Sequence, residues 1–118
     1  PMIRHIVMWQ LHDPADAPKF KELLDSCKSV VPGILEWEVG IRTPRLEASM
    51  DVVLVSAFAD KDALDAYQHH PHHKAVGAQL GAMRSHRVVL DYPSLAPGLA
   101  DVDLAQDLSF APTAPGAL

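Results

Sequence analysis

Several things are scarce in this chain of 118 residues, and each shortage excludes something. There is one cysteine, Cys27, so no intrachain disulfide can form, and the thiol suits a reducing compartment. Basic residues are outnumbered: 10 Lys and Arg against 15 Asp and Glu leave a formal net charge of −5, and the cations are scattered. A nucleic-acid binder needs a basic patch to neutralise phosphates, and an anionic membrane surface needs a basic run, so neither partner is expected. No apolar stretch approaches the roughly 20 residues of a membrane-spanning helix, and no signal-peptide core opens the chain. A cytoplasmic protein is the expectation. What remains is one domain-sized chain, 48% hydrophobic, able to supply a modest core.

Histidine, by contrast, is plentiful, and four of the seven gather in Tyr67-Gln68-His69-His70-Pro71-His72-His73. Proline lacks an N–H and pushes the residue before it out of helical geometry, so one helix should end near His69 or His70 and another begin at Pro71. That places His72 and His73 in a first helical turn, where the positive helix end favours a neutral imidazole able to accept a proton. The Tyr67 phenol, six residues upstream, is a second group for the same cavity.

The rest of the chain alternates strand and helix patterns. In residues 2–10, Ile3, His5, Val7 and Trp9 share one strand face, opposite Arg4, Ile6, Met8 and Gln10. Asp13-Pro14-Ala15-Asp16 is turn and cap chemistry, and Phe20, Leu23, Leu24, Cys27, Val30 and Val31 then fall at helical spacing until Pro32-Gly33. Leu35, Trp37, Val39 and Ile41 alternate with Glu36, Glu38 and Gly40 as a strand with one wet face. A loop around Thr43-Pro44-Arg45 leads to the Val52–Phe58 strand, Asp60 caps a short helix through Tyr67, and His86–Tyr92 forms the last strand. The order βαββαβ predicts a ferredoxin-like α+β fold, a four-stranded antiparallel sheet with helices on one face. Both sheet faces carry apolar residues, so a second copy is expected to cover the bare one, making a homodimer. Residues 93–118, rich in proline and alanine but carrying Leu95, Leu99, Leu104, Leu108 and Phe110, are expected to form an arm packed on residues 1–92 or on the partner subunit.

The opening Arg4-His5, the junction Tyr67, His70, Pro71 and His73, and the closing Asp91-Tyr92 resemble, in this order, the stress-responsive dimeric α/β-barrel (Dabb) family over roughly residues 2 to 92. The resemblance extends to plant polyketide cyclases of that family. It implies a small, partly apolar ligand, aromatic or polyketide-like, with no cofactor. It also implies that Tyr67 hydrogen-bonds a substrate carbonyl while His73 takes a proton from the adjacent carbon, as in enolate formation, aldol-type ring closure or isomerisation. His5, Val7, Trp9, His70, Val52 and Leu54 are the expected ligand contacts; Val52 stands where the cyclases carry a further cavity histidine.

Other readings of the same residues stay open. Tyr67 and His73 could simply cap and pack, in a non-catalytic stress-responsive ligand-binding protein. A cofactor-independent monooxygenase of the wider barrel superfamily is an enzymatic alternative, and Pro1 suggests an N-terminal-proline tautomerase, whose parallel β-α-β units fit this order poorly. A metal is not expected: Pro71 turns adjacent histidines in different directions, and no two-ligand helix motif is present. Cys27 lies on a buried stripe with no obvious base beside it.

Overall fold

A computed structural model of the protein describes residues 1–95. Four strands, β1 (Met2–Leu11), β2 (Ile34–Ile41), β3 (Val52–Phe58) and β4 (Arg84–Ser94), form one sheet in the order β2-β3-β1-β4 with every pairing antiparallel. Helices α1 (Ala17–Asp25), α2 (Lys61–His69) and α3 (Pro71–Met83) lie against one face of it. This is the expected ferredoxin-like arrangement.

The period-2 pattern of β1 sorts its residues. Val7, Trp9 and Leu11 are buried against Phe20, Leu24, Leu64, Val76 and Leu80 of the helices. Ile6 and Met8 face the other way, beside Val55 and Val53 of β3 and Leu90 and Val88 of β4. That second face is uncovered: Val88 is 48% and Leu90 65% exposed.

Local chemistry fixes the element ends. Asp13 accepts a hydrogen bond from the Ala15 N–H at the start of a 3-10 turn over Pro14–Asp16. Asp60 accepts one from the Ala63 N–H, capping α2. The break at Pro71 falls where expected, α2 ending at His69 and α3 beginning at Pro71. Gly33 has φ +93°, and a Cβ there would sit 2.9 Å from Ala63 Cβ, so a side chain is barred by both conformation and space.

Two local expectations need correction. Helix α1 stops at Asp25, so Cys27, Val30 and Val31 lie in a run of tight turns. There the Cys27 N–H donates to the Leu24 carbonyl and the Val30 N–H to the Cys27 carbonyl, while Ser26 Oγ–H takes the Leu23 carbonyl. Cys27 is nonetheless buried. In β2 the register shifts between Ile34 and Glu36, which pair with the consecutive residues Phe58 and Ala57. Leu35 is thereby an extra residue, and it is 56% exposed instead of sharing the core face with Val39. Strand β4 runs on through Pro93 and Ser94. The remainder of the expected C-terminal arm, residues 96–118, lies outside the described residues.

Candidate functional site

Between the helix-covered face of β1 and helix α3 lies a cavity of about 150 Å³. His5, Val7 and Trp9 line it from β1, Leu54 from β3, Tyr67 from α2, His73, Val76 and Leu80 from α3, and Arg84 and Arg87 from β4. Four of the expected contacts, His5, Val7, Trp9 and Leu54, and both expected reactive groups, Tyr67 and His73, therefore share one cavity; His70 and Val52 are not in its lining. His70 instead caps α3, its Nδ1 accepting from the His72 N–H at 3.1 Å. Val52 is buried opposite Trp9 and borders a second, larger hollow beside the β2–β3 loop.

The break at Pro71 creates the Tyr67–His73 pair. Tyr67 sits in the last turn of α2 and His73 in the first turn of α3, with ring centroids 4.4 Å apart. His73 Nδ1–H donates to the Gln68 carbonyl at 3.1 Å, since a carbonyl oxygen can only accept. That fixes the tautomer and leaves the Nε2 lone pair free. Burial lowers the His73 pKa below the usual histidine value, and the charges of His5, Arg87 and His70 push the same way, against the raising effect of the Gln68 bond. The ring is neutral near pH 7, as expected, but burial is the leading cause.

Tyr67 is 1% exposed, and burial raises its phenol well above the usual tyrosine range. The hydroxyl stays protonated, so it can act only as a neutral hydrogen-bonding group. Trp37, Phe58 and His5 surround its ring, with centroids at 5.8, 5.1 and 6.2 Å.

His5 faces the helices, and its partner is one that sequence reasoning missed. Register places Asp91 of β4 directly opposite, and His5 Nδ1–H donates to Asp91 Oδ1 at 2.5 Å. The carboxylate holds the imidazole in one tautomer with Nε2 free. Cys27 also borders the cavity; burial raises its thiol pKa, so it is a neutral lining group.

The other histidines of the junction are engaged separately. His69 Nδ1 bonds the Asp65 carbonyl, and His72 Nε2 lies 2.8 Å from Ser26 Oγ. Among the described residues no three His, Cys, Asp or Glu side chains come together as a metal site.

The lowered His73 pKa has a measurable consequence. An unfolded histidine titrates near about 6.5, so below that pH the unfolded chain binds a proton that folded His73 resists. Its contribution to stability is intact above that pH and is lost as pH falls toward the folded value. Denaturant midpoints should fall from pH 7 to pH 5, and less steeply in His73→Gln. An identical slope in the variant would show that His73 carries none of this linkage.

Residues 3–94 match the family described as Stress responsive A/B Barrel Domain (Dabb). Comparison with curated proteins gave no match. Among solved structures, a dimeric protein of unknown function and ferredoxin-like fold from Bacteroides fragilis is 28% identical, with a TM-score of 0.67 over 79% of this chain and 96% of that one. A Dabb family protein with a ferredoxin-like fold from Mesorhizobium loti is 25% identical, with a TM-score of 0.65 over 80% and 98%. SnoaB, a cofactor-independent oxygenase from Streptomyces nogalater, in its N63A mutant, shares the fold at 12% identity, with a TM-score of 0.67 over 82% and 96%. With its sheet order, its broken helix at Pro71 and a family match spanning nearly all the described residues, the chain belongs to the stress-responsive A/B barrel domain family.

Proposed function

We propose that the protein binds a small, partly apolar carbonyl compound in the cavity beneath α3 and catalyses enolate chemistry on it without a cofactor. The observation that carries this reading is the convergence of Tyr67, His73 and His5 on one cavity of about 150 Å³. The Tyr67 hydroxyl donates to the ligand carbonyl and stabilises the negative charge that develops there. His73 Nε2 removes the proton from the adjacent carbon, which needs the neutral imidazole that burial maintains. His5, oriented by Asp91, offers a second acceptor across the cavity. Ring closure, aldol-type addition and isomerisation all proceed from such an enolate.

Cyclohexanone is a neutral carbonyl probe of suitable size. In D2O, the full chain should accelerate deuterium uptake at its α-carbons above a buffer blank, as read by proton NMR. If cyclohexanone binds and no acceleration is seen, the enzymatic reading fails and a ligand-binding role replaces it.

The working unit proposed is a homodimer joined sheet to sheet. Ile6, Met8, Val53, Val55, Val88 and Leu90 make an apolar surface on the face opposite the helices, and such surfaces mark interfaces. The Bacteroides fragilis relative is itself dimeric. Leu90→Asp would put a charge in the middle of that contact. Sedimentation at micromolar concentration should show a dimer for the native chain and a monomer for the variant. A native monomer would sink the dimeric reading.

A further inference from the structure

We infer that Arg84 and Arg87 form an anion-recognising rim on this cavity, and that the ligand is an organic carboxylate about the size of a single ring. The inference rests on the reading that the cavity takes a small organic molecule, and goes further by assigning its charge.

Cations are scarce in this chain, and five of the ten are paired with carboxylates elsewhere. Arg4 pairs with Glu36, Lys19 with Glu22, Lys21 with Asp25, Arg42 with Asp51 and Lys61 with Asp65. Arg84 and Arg87 both border the cavity, and neither pairs with another described residue. No Asp or Glu lies in the lining to neutralise them. Asp91, further along the same strand, is held by His5.

Their placement follows from the fold. Arg84 caps the end of α3 and begins β4, where it pairs with Leu11. Arg87 lies directly opposite Trp9 on the same sheet face. The cavity is thus apolar inside, with Val7, Trp9, Leu54, Val76 and Leu80, and positive at one side. Arg87 is close enough for its charge to disfavour protonation of His73 and to favour ionisation of Tyr67. An anion held there lies within electrostatic reach of both groups.

Size and shape narrow the class. A cavity of about 150 Å³ is enough for benzene when lined by apolar side chains, which matches the volume here. Two guanidinium planes present paired donors that match the two oxygens of a carboxylate. The alternative use of an arginine beside an apolar cavity is to lay its methylene stem over the surface with its head in water. That use is indifferent to ligand charge, so ligand charge separates the two.

Benzoate and benzamide share a ring and nearly the same outline but differ in charge. Titrated against the full chain by Trp fluorescence and calorimetry, benzoate should bind at least about tenfold tighter than benzamide, the scale of a charge-assisted paired contact. Arg87→Gln should cut that preference, and Arg84→Gln with Arg87→Gln should bring it within about twofold while benzamide affinity holds. Equal affinities in the native chain would overturn the carboxylate assignment and leave the cavity reading standing. A preference that survives in the double variant would overturn the role of the arginines. Phenyl phosphate binding tighter than benzoate would replace the carboxylate by a phosphate. If neither ring compound binds, the cavity reading falls together with this one.

Discussion

Replacing His73 by asparagine should slow deuterium uptake into a bound ketone by about 10²–10⁴-fold, the range ordinarily lost with a positioned general base. Asparagine can offer an amide N–H to the Gln68 carbonyl in place of Nδ1–H, so α3 keeps its first turn, but it has no lone pair basic enough to take a proton from carbon. Tyr67→Phe should have a similar effect for a different reason. It removes the hydroxyl that meets the developing oxyanion and keeps the ring among Trp37, Phe58 and His5. Cyclohexanone affinity should change only several-fold in either variant, because the apolar lining is untouched. His69→Ala is the control, since that side chain is exposed and bonded to its own helix. Two outcomes would count against the assignment: a His73→Asn protein that retains full exchange, or one that loses cyclohexanone binding in step with exchange. In the first case His5 becomes the base to test, by His5→Asn against Asp91→Asn, because its ring lines the same cavity and its Nδ1 is taken by Asp91.

The parts of this site that could be read from sequence are those written in local chemistry. Pro71 dictates a helix break whatever surrounds it, so the Tyr67–His73 arrangement follows from a dipeptide rule. Alternation along β1 likewise places His5, Val7 and Trp9 on one face whatever the partner strands are. The bulge at Leu35 was not legible, because a bulge depends on the register of two strands and leaves an alternating sequence unchanged. The end of α1 was misread because Cys27 keeps its core position after the helix has stopped. The most consequential miss, Asp91 as the partner of His5, spans 86 residues of sequence. Only the β1–β4 register brings those residues together. Arg84 and Arg87 escaped notice for the same reason, since they reach the cavity from that non-local pairing. The motif points His70 at the ligand, whereas a side chain immediately before a helix-opening proline is well placed to cap that helix, as His70 does.

Phe58→Ala should destabilise the fold by about 3–5 kcal/mol, the usual cost of emptying a buried phenylalanine site. Phe58 is 0% exposed, ends β3, and pairs in register with both Ile3 and Ile34. Its ring lies 6.1 Å from that of His5 and 5.1 Å from that of Tyr67, behind the cavity instead of in its lining. The void left by alanine cannot close easily, because β1 and β2 hold β3 on both sides through the sheet ladder. For a domain of this size the melting temperature should drop by more than about 10 °C at fixed protomer concentration. Phe58→Leu, which keeps most of the volume, should cost less than half as much, and the exposed Gln79→Ala should fall within about 0.5 kcal/mol of native. The site should register the same change. With its lateral support gone, the Tyr67 ring can tilt toward the void, and exchange activity should fall even below the melting transition. A Phe58→Ala protein that melts like the native chain would mean that the β3 end is not part of the core that holds Tyr67 in place. Lowered stability with unchanged exchange would mean instead that Trp37 and His5 alone suffice to position the phenol.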